Sequence, residues 1–131
     1  MSGGRRRLSR EERRAVYELT GGRCAYCGQE LAFRDMQLDH VVPLHHGGAD
    51  EPFNMFPACR SCNHYKRNAD LERWRAQLEA IPAVLTRDSY TYRQGVRFGL
   101  VRPVQKKVEF YFERLVREEA HGDTQTDKRT L

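Results

Sequence analysis

Four cysteines carry the first chemical signal in this 131-residue chain, as Cys24-Ala-Tyr-Cys27 and Cys59-Arg-Ser-Cys62. In a chain expected to stay in a reducing cytosol, two C-x2-C pairs read as metal thiolates rather than disulfides. Two such knuckles closing on one ion make a tetrahedral four-cysteine zinc site. A thioredoxin-like redox pair is the competing reading, and it fails because neither pair follows a βαβ pattern. The knuckles are separated by 31 residues, more than the ~15–20 of a simple zinc ribbon. A folded insertion must therefore return the chain to its start. With thiolates at all four positions there is no open coordination site. The zinc is expected to be structural, its binding energy becoming folding energy.

The insertion and the second knuckle hold the remaining reactive groups. Asp39 and His40 adjoin at the end of an expected strand, Asn54 opens the next extended segment, and Asn63 follows Cys62 directly. Strand alternation sends Asp39 and His40 to opposite faces unless the strand ends there, and Pro43 supplies such an end. One carboxylate and one amide carbonyl suit a hard Mg2+ or Mn2+ ion with water in its other positions. A neighbouring imidazole suits general-base work near neutral pH. These are the parts of a one-metal phosphodiester hydrolase. Each residue also has a plainer reading: Asp39 as a turn cap, His40 as a core or surface histidine, Asn54 as wholly structural, Asn63 as a helix cap. Lys66 is either a solvated lysine or a phosphate contact. His45 and Arg60 are weaker candidates for nucleic-acid contact, set against exposed loop and solvated helix face.

The ordered set CAYCG, LDHVVPLHHGGADEPFN and FPACRSCNHYK resembles the zinc-knuckle branch of the HNH endonucleases, over roughly residues 20–68. The resemblance implies a ββα-metal fold and metal-dependent hydrolysis of DNA phosphodiesters, leaving 5′-phosphate and 3′-hydroxyl ends. It implies His40 as general base, Asp39 and Asn63 as ligands of the catalytic divalent ion, and Asn54 as the residue that holds the loop aiming the base. Many members carry His where this chain has Asn63, and the amide oxygen favours Mg2+ or Mn2+ over softer ions. The alternative function is a non-catalytic zinc-stabilised nucleic-acid-binding module, which needs the cysteines and arginines but has no use for Asp39, His40 and Asn63 together. An assembly protein with a zinc core is a third reading.

These residues must be positioned by an α+β fold: a ββα-metal core stapled by the knuckle, with helices on both sides. Residues 1–8 read as a disordered basic leader, 9–119 as a single domain (core about 20–68, helical extension about 69–119), and 120–131 as a disordered polar tail. Ser9-Arg-Glu-Glu12 is a capping box that starts a helix over about 10–20. Met36–Val42 reads as a strand, Phe53–Phe56 as a second, and residues 60–68 as a helix. Asp70 caps a further helix that Pro82 stops. Tyr90, Tyr92, Val96 and Phe98 alternate as in strands, and Pro103 opens a last helix carrying Val104, Val108, Tyr111, Phe112, Leu115 and Val116.

Charge agrees with a polyanionic partner. Lys and Arg total 23 against 18 Asp and Glu, a net charge of +5, and 19 of the bases are Arg. The planar guanidinium fork suits phosphate, so DNA is the expected partner. A protein partner or a homodimer is the expected source of any cleavage specificity. No apolar run reaches the ~18–20 residues of a membrane span, and MSGGRRRLSREERR lacks the apolar stretch of a secretory signal. The expected location is the cytoplasm.

Overall fold

The computed structural model describes residues 7–129, with side chains through residue 120. Helix α1 (Arg10–Glu18) is followed by a two-stranded antiparallel sheet, β1 (Gln37–His40) and β2 (Met55–Ala58), and by α2 (Arg60–Lys66). Helices α3 (Leu71–Glu79), α4 (Ile81–Asp88), α5 (Tyr90–Arg97) and α6 (Tyr111–Arg129) complete the order. Two compact units result. One comprises the described residues of Met1–Ala69 and Glu109–Leu131, the other Asp70–Val108.

The first unit carries the chemistry. The Ser9 hydroxyl accepts from the Glu12 N–H and the Glu12 carboxylate accepts from the Ser9 N–H, the expected capping box. Antiparallel register pairs Gln37 with Ala58, Asp39 with Phe56 and His40 with Met55. An isolated two-stranded sheet is marginal in water, so both sides of this one are packed. Val16 of α1 meets Leu31, Met36, Met55 and Leu8 in one buried cluster. Leu8, expected in an unstructured leader, is thus core; residues 1–6 lie outside the described set. An aromatic group of Tyr26, Phe56, Phe110 and Phe112 forms a second cluster, with ring centroids 4.6–6.2 Å apart.

Phe110 and Phe112 come from the C-terminal segment. It returns to the first knuckle through the Tyr111 N–H to Tyr26 carbonyl bond (3.0 Å) and the Phe112 N–H to Ala25 carbonyl bond (2.8 Å). Gly28 sits at φ +79°, and a Cβ there would lie 3.1 Å from the Tyr111 ring. That glycine both turns the knuckle and admits the returning chain.

In the second unit the observed helices depart from the alternation read for residues 90–98, where α5 forms instead of strands. Ser89 caps it by accepting from the Tyr92 N–H. A helix satisfies its backbone internally, whereas a strand here would need a partner, and the described residues contain none beyond β1 and β2. Pro82 does not only stop a helix; it occupies the first turn of α4, where its missing N–H costs nothing. The last helix starts at Tyr111 rather than near Pro103. The Val108 N–H donates to Glu79 and its carbonyl accepts from Arg75, which holds that residue extended. The backbone stays helical to Arg129, over most of the stretch read as a tail. No helix among the described residues is long and apolar enough to cross a membrane.

Phe110 is 2% exposed and is the anchor by which the C-terminal segment joins the core. Phe110→Ala is expected to cost about 3–5 kcal/mol, read as a fall in the urea midpoint without change in zinc content.

Candidate active site

The two knuckles meet. The four Sγ atoms of Cys24, Cys27, Cys59 and Cys62 lie within 4.8 Å of one another, and Cys27 and Cys59 are 3.9 Å apart. Zn–S bonds of ~2.3 Å in a tetrahedron require S–S separations of about 3.8 Å, so the donor set fits a zinc ion. Backbone N–H groups of Tyr26 and Cys62 point at the Cys24 and Cys59 sulfurs, each at 3.4 Å. The crowding shows in the proton affinities. The hydrogen bond with Cys62 holds the Cys24 thiol down to about 4, while burial pushes Cys27 up to about 11 and the bond with Cys24 pushes Cys62 up. Four thiols this close ionise together only around a cation.

The second knuckle launches α2: the Cys59 sulfur accepts from the Cys62 N–H at the helix N-cap. Asn63 therefore lies in the helix's first turns rather than capping it. With Asp39 and His40 of β1, Asn63 lines a cleft of about 410 Å3 whose wall also includes His45, Arg67 and Asn68. Asp39 and His40 share this cleft because β1 ends at His40, as the strand-end reading required. Arg60 and His64 are exposed and lie outside its lining.

Asp39 is buried, and two donors converge on its Oδ2: the Tyr26 hydroxyl, and the Lys66 ammonium at 3.2 Å. Oδ1 takes no hydrogen bond among the described residues and is the oxygen left for a cation. Burial pushes this carboxyl above its ordinary range, against the pull of Tyr26 and Lys66. Lys66 corrects the sequence reading. It is 1% exposed, neither solvated nor open to phosphate, and it also donates to the His40 carbonyl at 3.2 Å. One ammonium thus ties together the backbone and carboxylate of the Asp39-His40 pair.

His40 Nε2 lies 2.8 Å from Asp50 Oδ1. Sequence reasoning placed Asp50 only in the loop after Gly47-Gly48. Its signal was a carboxylate a short, glycine-closed loop away from the histidine. Asn54 closes that loop. Its side chain accepts from the Val42 N–H (3.0 Å) and donates to the Val42 and Ala49 carbonyls, each at 2.9 Å. A Cβ on Gly48 would fall 1.8 Å from the Val42 carbonyl oxygen, so only glycine fits. Asn54 thus holds the segment that brings Asp50 to His40. Arg67, at the cleft wall, has φ +53° and ψ −126°, a conformation costing ~1–3 kcal/mol in a residue with a Cβ.

Cys59→Ser is expected to lose bound zinc and cooperative unfolding together, because structural zinc contributes folding free energy outright. Metal content and thermal melts of the purified variant check this. A folded, zinc-free Cys59→Ser protein would contradict it.

Residues 24–69 match the family model for HNH endonuclease. The chain is 35% identical over 81 residues to the CRISPR-associated endonuclease Cas9 of Actinomyces naeslundii, a stretch covering 61% of this chain and 7% of that protein. It is also 35% identical over 52 residues to the Cas9 of Corynebacterium diphtheriae, covering 39% and 5%. The crystal structure of the Type II-C Cas9 enzyme from Actinomyces naeslundii aligns with a TM-score of 0.48 at 32% identity, covering 58% of this chain and 9% of that one. The chain spans less than a tenth of these relatives. The segment that holds the cysteine clasp and the cleft, residues 24–69, belongs to the HNH endonuclease family.

Proposed function

We propose that this protein is a metal-dependent DNA endonuclease that hydrolyses phosphodiester bonds in the cleft between β1 and α2. The observation that carries the proposal is the convergence of Asp39, His40 and Asn63, distant along the chain, on one cleft beside the four-cysteine clasp. The arginine-rich composition supports a phosphate-bearing substrate.

Asp39 Oδ1 and the Asn63 amide oxygen would hold a Mg2+ or Mn2+ ion, which supplies charge neutralisation at the phosphate when bound. The protein's own groups do the rest. Tyr26 and Lys66 grip Asp39 Oδ2 and keep the carboxylate from turning. His40 takes a proton from the attacking water on Nδ1, because its Nε2 is engaged with Asp50. In the neutral ring Nε2 carries the hydrogen that Asp50 accepts, leaving the lone pair on the opposite nitrogen. Asp50 is thus a positioning residue that selects the tautomer. Asn54 acts one step further out, by shaping the loop.

The test uses supercoiled plasmid with Mg2+ or Mn2+. His40→Ala is expected to lose nicking by roughly 10²–10⁴-fold while retaining zinc and DNA binding. Equal nicking by wild type and variant would reveal a contaminant and remove His40 from its role. DNA retention without nicking in either protein would favour the non-catalytic nucleic-acid module.

Asp50→Asn is expected to lower kcat at least tenfold with KM little changed, and Asp50→Glu to restore part of it. Nitrogen-15 NMR of the His40 ring should show the Nε2–H form in wild type and a mixed population in Asp50→Asn. An unchanged tautomer would leave Asp50 without this role.

A further inference from the structure

A second concentration of positive charge lies outside the cleft, in the same compact unit. Arg10, Arg13 and Arg14 of α1 all gather on the ring of Phe33, their guanidinium carbons 5.4, 5.5 and 4.0 Å from its centroid. Arg14 also lies 5.6 Å from the Tyr17 ring centroid. Spacing of three and four residues puts these arginines and Tyr17 on one helix face. The platform under them is fixed: Tyr17 meets Phe33 edge-on with centroids 5.3 Å apart, and its hydroxyl donates to the Leu31 carbonyl at 2.6 Å. None of the three guanidinium groups forms an ion pair with a described carboxylate.

This arrangement differs from a solvated charge run. A guanidinium stacked on an aromatic face keeps its in-plane N–H donors pointing outward and loses less freedom on making a further hydrogen bond. Three like charges gathered on one ring repel one another, and a polyanion relieves that repulsion by releasing its own counterions. Reach is compatible with a shared substrate. Phe33 precedes Asp39 by six residues, at most about 20 Å of extended chain. Duplex DNA advances 3.4 Å per base pair along a strand, so about six base pairs cover that span.

Resting on the nuclease reading above, we propose that the Arg10–Arg13–Arg14 face of α1, stacked on Phe33, is a second DNA-binding surface that grips backbone phosphates of the duplex whose neighbouring phosphodiester occupies the cleft. It contributes affinity and register without base readout, since stacked guanidiniums here address phosphate rather than base edges.

The experiment measures binding of a duplex of about 20 base pairs by anisotropy at several salt concentrations, in the full chain carrying His40→Ala so that nothing is cut. The variant Arg10→Gln/Arg13→Gln/Arg14→Gln is compared with Arg102→Gln/Lys106→Gln/Lys107→Gln, which loses the same charge elsewhere. The α1 variant should bind at least tenfold more weakly near 150 mM salt. If three phosphates are released, its log–log salt slope should fall by about 2.7. Wild-type affinity would then drop roughly 40-fold more than the variant's over a fourfold rise in salt. The control should stay within about threefold of the parent.

Zinc content and melting temperature verify folding. Should the triple variant not fold, Arg10→Glu, an exposed single charge reversal, must still weaken binding several-fold. Parent-like affinity and slope in the α1 variants, or an equal loss in the control, would overturn the proposal. Failure of the nuclease reading is separable: it shows as nicking that does not depend on His40, with the α1 effect on binding unchanged.

Discussion

Everything in the first unit depends on the convergence of four thiols. The chain leaves the first knuckle, makes a 31-residue excursion, and must come back. Closing a flexible loop of that length costs about 3 kcal/mol beyond a constant, and a sheet of two four-residue strands is a weak means of meeting that cost. A metal-thiolate clasp meets it outright. The clasp also sets direction. Cys59 caps α2 and Cys62 lies within it, so fixing the two sulfurs fixes the helix axis, and with it the place of Asn63 one residue on. A clasp of looser geometry would close the loop but leave that amide free to swing.

The clasp and the cleft also share atoms of one short segment. Tyr26 stands between Cys24 and Cys27, and its hydroxyl reaches Asp39. Ala25, beside it, donates to the Pro57 carbonyl of β2 and accepts from Phe112. A three-residue span thus contacts the metal site, the sheet, the C-terminal segment and the cleft carboxylate. Desolvating a carboxylate, a phenol and an ammonium together is unfavourable unless all are satisfied. Here Lys66 compensates the Asp39 charge, while Tyr26 donates from the other element. Removing either donor would leave a buried charge short of a partner. Helix α2 and the first knuckle are therefore held in register by polar chemistry as well as by sulfur.

Local spacing made much of this legible. The C-x2-C pairs, the capping box at Ser9, the Asp39-His40 step before a proline and Asn63 after Cys62 are each readable within a few residues, because each is a short-range geometric requirement. What escaped depended on distant contacts. Lys66 looks like any surface lysine until the chain is folded and its ammonium meets Asp39. Asp50 looks like loop punctuation until Asn54 and Gly48 close the loop. Leu8 lies in a basic, serine- and glycine-bearing leader, yet Val16, Leu31, Met36 and Met55 bury it. The alternation at 90–98 misled because period-two apolar spacing is persuasive only where a partner strand exists, whereas Ser89 supplied a helix start locally.

The reliance on glycine and asparagine around the cleft follows from the size of the unit. With so small a core, side chains that aim catalytic groups cannot be braced by deep apolar packing. They are braced instead by backbone hydrogen bonds and by close backbone approach. Asn54 spends its whole amide on Val42 and Ala49, and Gly48 lets the Val42 carbonyl come nearer than any Cβ would permit. The same economy explains Arg67. Its strained backbone ends α2 within one residue of Lys66, so the chain leaves the helix without unseating the buried ammonium. Rigidity here comes from polar closure at the loop and metal closure at the knuckles, and the two meet at the Asp39-His40 pair.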